Sequence, residues 1–267
     1  MGAKGRFLDK SALADKVKDY LADLEDRWLA KEYLPGASVM LSGSAGWGIP
    51  EGFDSNADWD VHVILDDDSF NEYLSRYGSN HVIDDHDSQP NCFMQIRSRK
   101  WLIDRLEHEE TSLLYLWLYE NGTWIFDSLG LADLIKEYRD TFERRLDGLV
   151  REHFVRFSVR RFDASSSAKR GLACATGMYK GVAVEAALRL FCLCAGQPYP
   201  YDKWLPRQVE MLGGSALVEL CENCLNEIDL ERSIANLKAL RCAVEDFVKR
   251  KCGEQAWVVC WWEYNEN

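Results

Sequence analysis

The chain has 267 residues, of which 47% are hydrophobic, and it carries a formal net charge of −12. A chain of this length can bury one large core or two modest ones. The sequence has no apolar run long enough to span a bilayer and no signal-peptide core near residue 1, so we expect no membrane partner. Nine cysteines without an export signal are typical of reduced thiols, and we therefore expect a cytoplasmic location.

The charge is divided unevenly along the chain. Residues 1–130 contain 12 Lys and Arg against 24 Asp and Glu, whereas residues 131–267 contain 20 of each. The acidic half would repel a polyanion, so nucleic acid is disfavoured as a partner and a small or cationic one is favoured. We place a boundary near residues 129–130, which predicts one domain over 1–130 and a second over 131–267.

The N-terminal half alternates helical and strand patterns. Apolar residues at steps of three and four predict a helix over residues 11–32, which Asp9 or Ser11 could cap and Pro35-Gly36 would end. Apolar runs over residues 37–41 and 58–65 predict two strands, and we expect the glycine-rich residues 46–48 and 50–52 between them to form a mobile loop rather than a clean helix. A short helix over 70–77 follows the acidic run 66–68, which we interpret as a solvated turn and helix cap.

The pattern then becomes mainly helical. Residues 81–83 and 92–97 predict a hairpin linked by the polar segment 84–90. Helices are predicted over 101–108, 112–120 and 131–150, with a brief strand over 123–126. The second half predicts helices over 152–162, 166–194, 203–212, 216–226 and 230–252, and we assign no structure to the tail from residue 258.

The most informative stretch runs from residue 39 to residue 65. Because side chains alternate faces along a strand, Asp58, Asp60, His62 and Ile64 share one face, and Trp59, Val61, Val63 and Leu65 form the core-facing one. Two carboxylates two residues apart make a hard-oxygen site suited to Mg²⁺. The small-residue turn 42–46 offers backbone N–H groups to a phosphate. A metal site and a phosphate cradle this close together indicate nucleotide chemistry.

These residues resemble the signature of the DNA polymerase beta-like nucleotidyltransferase superfamily, and in particular its small bacterial aminoglycoside and lincosamide branch. The signature is present as Gly43-Ser44, then Gly46 and Gly48, then Ser55-Asn56-Ala57-Asp58-Trp59-Asp60. The resemblance implies an α+β fold, in which a small mixed β-sheet flanked by helices precedes a C-terminal helical bundle. It also implies that Asp58 and Asp60 hold Mg²⁺, while Gly43 and Ser44 contact the phosphates of a nucleoside triphosphate.

A second, less specific resemblance to these nucleotidyltransferases lies in the C-terminal half. It comprises residues 185–191 and the segment Pro198-Tyr199-Pro200-Tyr201-Asp202-Lys203-Trp204-Leu205. Lys203 could place an ammonium near the triphosphate, and Lys180 and Arg189 are further candidates. For Lys203, packing of its stem on Trp204 is an equally good interpretation.

The sequence departs from the family at the third carboxylate, which usually lies on a later strand. Gln95 occupies that place, and its strand contains no acid. Either Asp84, Asp85 or Asp87 supplies the third acid, or Gln95 only orients the acceptor, or the chain binds nucleotide without efficient chemistry. His62 could support an aspartate or deprotonate an acceptor, but an ordinary polar residue in the sheet is the better interpretation.

The pair Cys221 and Cys224 raises the question of a metal or redox site. Zinc would need two further ligands, and no histidine lies nearby in sequence. A redox pair normally follows a strand, whereas this pair lies in a helical pattern. We therefore predict buried thiols here, and the same for Cys192 and Cys194.

Taken with the resemblance, these features predict a Mg²⁺-dependent enzyme. It would transfer NMP, with AMP expected, from an NTP to a hydroxyl of a small molecule, either an aminoglycoside-like antibiotic or a metabolite, and release pyrophosphate. The alternatives are NMP transfer to a protein or tRNA, as in toxin–antitoxin systems, and a non-catalytic nucleotide sensor. The sequence predicts neither the base, nor the acceptor, nor the oligomeric state.

Overall fold

The computed structural model describes residues 10–24, 33–48, 58–78, 82–85 and 91–264. Two compact units make up the chain, Met1–Arg139 and Asp140–Asn267. Across the described segments, no helix is both long enough and apolar enough to cross a membrane.

The first unit is built on a five-stranded mixed sheet with the order β3-β4-β2-β1-β5. The strands are β1 (Ser38–Ser42), β2 (Asp58–Leu65), β3 (Val82–Asp85), β4 (Asn91–Ser98) and β5 (Thr123–Asp127). β1 runs antiparallel to both β2 and β5, β2 runs parallel to β4, and β3 runs antiparallel to β4. The predicted α+β class, the mixed sheet and the 81–97 hairpin are confirmed.

Among its described residues, the first unit has five α-helices beside this sheet: α1 (Lys10–Leu24), α2 (Gly43–Trp47), α3 (Asp67–Tyr77), α4 (Arg99–Glu107) and α5 (Ser112–Asn121). Residues 25–32 of the predicted first helix and its candidate cap Asp9 lie outside the described residues. Asp66 caps α3, because its carboxylate accepts a hydrogen bond from the Ser69 N–H at 2.9 Å. The interpretation of the 66–68 run as a cap is therefore confirmed.

One face of the sheet carries the core of the first unit. Val61, Val63 and Leu65 of β2 are buried on it with Trp59. Val17 and Leu21 of α1 belong to the same buried cluster. The predicted division of β2 into a core face and a polar face is thus confirmed, and Asp58 and Asp60 lie on the face opposite this cluster.

The segment after β1 differs from its prediction. Residues 43–47 form the short helix α2 and are all buried, whereas a turn followed by a mobile loop from residue 46 is expected; residues 50–52 of that loop lie outside the described residues. The physical reason is burial: backbone N–H and C=O groups removed from water need partners, and a helical turn supplies them locally. Small residues that carry no helical pattern gave no sign of this in the sequence.

The second unit is helical. Its elements are α7 (Ala173–Cys194), α8 (Leu205–Met211), α9 (Ser215–Asn226), α10 (Leu230–Cys252) and α11 (Ala256–Val259), with a 3₁₀ turn at Trp261–Tyr264. The boundary between the two units falls inside a single long helix, α6 (Leu131–Lys169). The sequence pattern predicts breaks at residue 151 and at residues 163–165, but no proline interrupts residues 131–169, so the helix continues through both. The chain breaks instead at residues 170–172.

The thiols of the second unit are packing groups. Cys192, Cys221 and Cys224 are buried and unbridged. Burial raises the pKa of Cys192 to about 12 and that of Cys224 to about 11, so both thiols stay protonated at neutral pH. The prediction of buried thiols is confirmed for these three, while Cys194 is only partly buried.

Candidate functional site

The candidate site lies on the polar face of β2, where that strand begins. Asp58 is exposed, and Asp60, two residues further, is partly buried on the same face. Ser42, the last residue of β1, pairs with Asp60, and its hydroxyl donates to the Asp60 backbone carbonyl at 3.2 Å. The end of β1 and the start of β2 therefore hold Asp60 in a defined position beside the α2 segment.

Gly43 brings the candidate phosphate-binding segment into contact with this carboxylate. Its φ of +62° lies in the left-handed region that glycine adopts without strain. A Cβ added at this position would lie 2.1 Å from Oδ2 of Asp60, so only a residue without a side chain fits. Ser44 follows and is buried. The structure thus brings together Gly43, Ser44 and Asp60, with Asp58 on the same sheet face.

A buried polar chain lies behind Asp60 on this face of the sheet. His62 Nε2 is 3.4 Å from the Ser42 hydroxyl, and His62 Nδ1 is 3.0 Å from the Tyr119 hydroxyl of α5. Burial, with a smaller contribution from the Arg97 charge, lowers the pKa of His62 to about 4. Burial also raises the pKa of Tyr119, which keeps its phenol protonated. His62 is therefore neutral at pH 7.

The environment of His62 supports one of its two interpretations. The side chain is only 4% exposed, so an acceptor hydroxyl has no open approach to it. Its contacts join β1, β2 and α5 next to Asp60, which is the role of a polar residue that organises the sheet. Deprotonation of an acceptor by His62 is disfavoured by this burial.

Strand register locates the candidates for the third carboxylate. Gln95 of β4 pairs with His62, whereas Phe93 pairs with Asp60. The Gln95 side-chain oxygen accepts a hydrogen bond from Arg97 at 3.1 Å. In the next strand, Asp84 pairs with Phe93 and so lies in the same cross-strand row, and on the same face, as Asp60. The side chain of Asp85 and all of Asp87 are outside the described residues, as are residues 55–57 of the motif.

The donor set fits Mg²⁺ bound together with a nucleotide. Within the described residues, no group of three Asp, Glu, His or Cys side chains converges on one point. Two carboxylates nevertheless suffice, because Mg²⁺ typically takes one or two protein carboxylates and completes its shell with waters and substrate phosphates. The close approach of Gly43 to Asp60 leaves that carboxylate next to backbone N–H groups suited to such phosphates.

The three cationic candidates belong to the second unit and differ in their environments. The Lys180 ammonium is buried and donates to the Glu227 carbonyl and to the Ser233 hydroxyl. A phosphate contact would require these bonds to break, so its surroundings favour a structural role.

Arg189 and Lys203 are also engaged within the second unit. Arg189 pairs with Glu185 and Asp202, each at 2.9 Å, and its guanidinium lies 4.9 Å from the ring centroid of Tyr199. The exposed Lys203 places its ammonium 5.0 Å from the ring centroid of Trp204. That contact agrees with packing of the Lys203 stem on Trp204, and a phosphate role for Lys203 stays a prediction.

The sequence did not identify Tyr119 or Arg97 as parts of this region. Tyr119 is 57 residues from His62, and nothing in the helical pattern of α5 marks it as different from a core aromatic. Arg97 contacts both Gln95 and the Trp101 ring, and alternation along β4 is the only signal that could have placed it on the polar face.

Comparison with known proteins gives little beyond the structure itself. No protein-family model matches the chain, and no curated protein matches it either. Among solved structures, it is similar to a nucleotidyltransferase-like protein from Exiguobacterium sibiricum at 16% identity and a TM-score of 0.41, over 92% of this chain and 80% of that one. We infer neither a family nor an activity from similarity of this degree.

Proposed function

We propose that the protein is a Mg²⁺-dependent nucleotidyltransferase. It transfers NMP, with AMP the expected nucleotide, from an NTP to a hydroxyl of a small molecule and releases pyrophosphate. One observation carries the proposal: the Gly43 α-carbon lies against the carboxylate of Asp60, with Asp58 on the same face of β2. A turn whose backbone N–H groups would bind phosphate, in contact with one of two neighbouring hard-oxygen ligands, suits phosphoryl transfer.

The residues of the first unit divide the work of this reaction. Asp58 and Asp60 would hold Mg²⁺, which supplies charge neutralisation on the triphosphate. Backbone N–H groups at Gly43 and Ser44 would bind its oxygens. The acceptor oxygen forms a bond to the α-phosphorus, the bond to the β-phosphate bridging oxygen breaks, and pyrophosphate leaves.

The proton of the acceptor hydroxyl needs a base, and Asp84 is our candidate. It lies in the row of Asp60, two strands away, which is about 10 Å between α-carbons. Phe93 lies between the two residues in that row and on the same face, so an acceptor hydroxyl that reaches both carboxylates would have to bind over the Phe93 side chain. Gln95 is the candidate for orienting the acceptor, because it lies one row further along the same face.

The acidic character of residues 1–130 supports a cationic acceptor. This half has 24 Asp and Glu but only 12 Lys and Arg. Its excess negative charge attracts an aminoglycoside-like molecule and repels a polyanion. Of the three candidate cations in the second unit, the exposed Lys203 stays our candidate for a triphosphate contact. Lys180 and Arg189 would first have to leave their present partners.

The test is release of pyrophosphate from each of the four NTPs with Mg²⁺, over a panel of hydroxylated small molecules that includes aminoglycosides. Asp58→Ala/Asp60→Ala protein serves as the blank. Asp67→Asn/Asp68→Asn protein, altered at exposed acids of the first turn of α3, is the matched control for lost negative charge. Release that needs one acceptor, survives in the control and disappears in the blank supports the proposal. Absence of Mg²⁺-dependent NTP binding would refute it.

A second candidate function is a nucleotide sensor without transferase activity. The observation in its favour is that no third ligand converges with Asp58 and Asp60 among the residues described. A sensor predicts NTP binding that requires both aspartates, with no pyrophosphate released for any acceptor. Calorimetry on the same four NTPs therefore separates the two functions.

A further inference from the structure

The second unit contains a pocket whose charge contrasts with the acidic chain. It has a volume of about 390 Å³ and lies between α6 and α10. Four of its eight lining residues are Lys or Arg, and none is Asp or Glu. The lining residues that matter here are Arg161, Phe162, Ser166, Lys169, Lys238 and Arg241.

Helical spacing produces this concentration of positive charge. Arg161 and Lys169 are eight residues apart on α6, and Lys238 and Arg241 are three apart on α10. Residues at such intervals share one side of a helix, so each helix turns its cations toward the same pocket. The cations therefore converge because of the fold and are not a scattered solvated surface.

Two of the four cations have no acidic partner. Lys169 and Lys238 are exposed, and neither forms an ion pair with any residue that the structure describes. Arg241 pairs with Glu245 along α10. Arg161 has a buried Nε without a hydrogen-bond partner in the described chain; burial and the neighbouring Arg241 lower its pKa, and Glu245 raises it. One carboxylate therefore serves two neighbouring guanidinium groups, which leaves the pocket with an excess of positive charge.

An apolar wall completes the pocket. The Phe162 ring is 55% exposed although it is aromatic, and its centroid lies 6.1 Å from that of Trp261. Ile234 of α10 adds an aliphatic surface. Aromatic faces next to cations suit ligands that combine a planar ring with phosphate.

We propose that this pocket binds a small phosphorylated ligand that carries at least two negative charges and a planar ring. The four cations would contact the phosphate of this ligand, and the apolar wall that contains Phe162 would contact its ring. The volume is that of a small-molecule site, which favours a compact ligand over a nucleic-acid strand. This binding function is additional to the transfer reaction proposed above and does not involve Asp58 or Asp60.

Calorimetry on the full-length chain tests this proposal separately from the proposed active site. The parent protein carries Asp58→Ala/Asp60→Ala and is kept in EDTA, so that metal-dependent binding at those aspartates is removed. AMP, inorganic pyrophosphate and adenosine are the probes. We expect AMP and pyrophosphate to bind and adenosine not to. Lys169→Gln/Lys238→Gln should weaken the affinities for AMP and for pyrophosphate by about tenfold or more for each lysine removed, because hydrogen bonds to charged groups are strong.

Two further variants sharpen the result. Lys249→Gln/Arg250→Gln removes two exposed cations of α10 that do not line the pocket, and it should leave both affinities unchanged. Phe162→Ala should weaken the binding of AMP and leave the binding of pyrophosphate unchanged. This difference separates a ligand that carries a ring from a free inorganic anion. Thermal unfolding confirms that each variant is folded, as expected for exposed side chains.

Several outcomes would overturn the proposal. One is the absence of AMP and pyrophosphate binding at millimolar concentration. A second is equal weakening by the two cation-removing variants, which would indicate a general effect of net charge. A third is an AMP affinity that Phe162→Ala does not change. The last is binding of a single-stranded RNA oligonucleotide without binding of AMP, which would assign the pocket to a polymer.

Discussion

Replacement of Gly43 by alanine tests the contact that defines the candidate site. The left-handed φ of +62° costs an alanine roughly 1–2 kcal/mol. Its Cβ would also lie 2.1 Å from Asp60 Oδ2, and ordinary contact begins at 3.4 Å, so the carboxylate must move by about 1.3 Å. Displacement of a catalytic group by about 1 Å can reduce the rate on the order of 100-fold. We expect a loss of that size in Mg²⁺-dependent pyrophosphate release.

Gly130→Ala is the matched control for this substitution. Gly130 has a φ of +66°, but an added Cβ there meets nothing within 4 Å. The positive φ should lower the free energy of unfolding by about 1–2 kcal/mol in both variants, and the clash with Asp60 should lower it further in Gly43→Ala. Only Gly43→Ala should lose activity. Metal-dependent NTP binding by calorimetry provides a second measurement if turnover is slow. Equal activity in the two variants would refute the assignment of the Gly43–Asp60 contact to the site.

Three further predictions concern single side chains. Burial, together with the charges of Arg156 and Arg189, lowers the pKa of His153 from 6.5 to about 4. The stability that neutral His153 gives to the folded state is therefore present above pH 6.5 and is lost as the pH falls toward 4. Between pH 7 and pH 5 the free energy of unfolding should fall by about 2 kcal/mol more in the wild type than in His153→Gln. Urea unfolding at a series of pH values measures this, and the same pH dependence in both proteins would contradict it. Lys180→Ala should lower the free energy of unfolding by about 2 kcal/mol, because the Glu227 carbonyl loses its charged donor and keeps only the Ser233 hydroxyl at 3.3 Å, and NTP affinity should be unchanged. Weaker NTP binding at unchanged stability would instead support a phosphate contact. Asp84→Asn should lower kcat by roughly 100-fold with little change in NTP KM, while an unchanged kcat would exclude Asp84 as the base.

The sequence allowed prediction of those parts of the fold that depend on local pattern. Alternation from Asp58 to Leu65 predicted which side chains face the core, because a strand has only two faces. The strand order β3-β4-β2-β1-β5 could not be predicted in the same way, because it depends on pairing between distant segments. The α2 helix was also missed, since burial rather than propensity makes residues 43–47 helical.

The candidate site shows the same division between local and distant information. Gly43, Ser44, Asp58 and Asp60 follow from a motif of short spacing, and the structure brings Gly43 against Asp60. Tyr119 could not be predicted, because its hydrogen-bonding distance to His62 arises only when α5 packs on the sheet.

The question of the missing third carboxylate changes once the strand register is known. Along the sequence, Gln95 looked like the position where an acid had been lost. In the sheet, Gln95 is paired with the buried His62, and the residue opposite Asp60 is Phe93. A carboxylate at position 95 would lie beside the Arg97 guanidinium, which already donates to the Gln95 side-chain oxygen at 3.1 Å, and would be engaged by that cation rather than by a metal. Asp84, one strand further, lies in the row of Asp60 and is exposed. The uncharged Gln95 is therefore no reason to infer lost chemistry, and the choice between enzyme and sensor depends on Asp84.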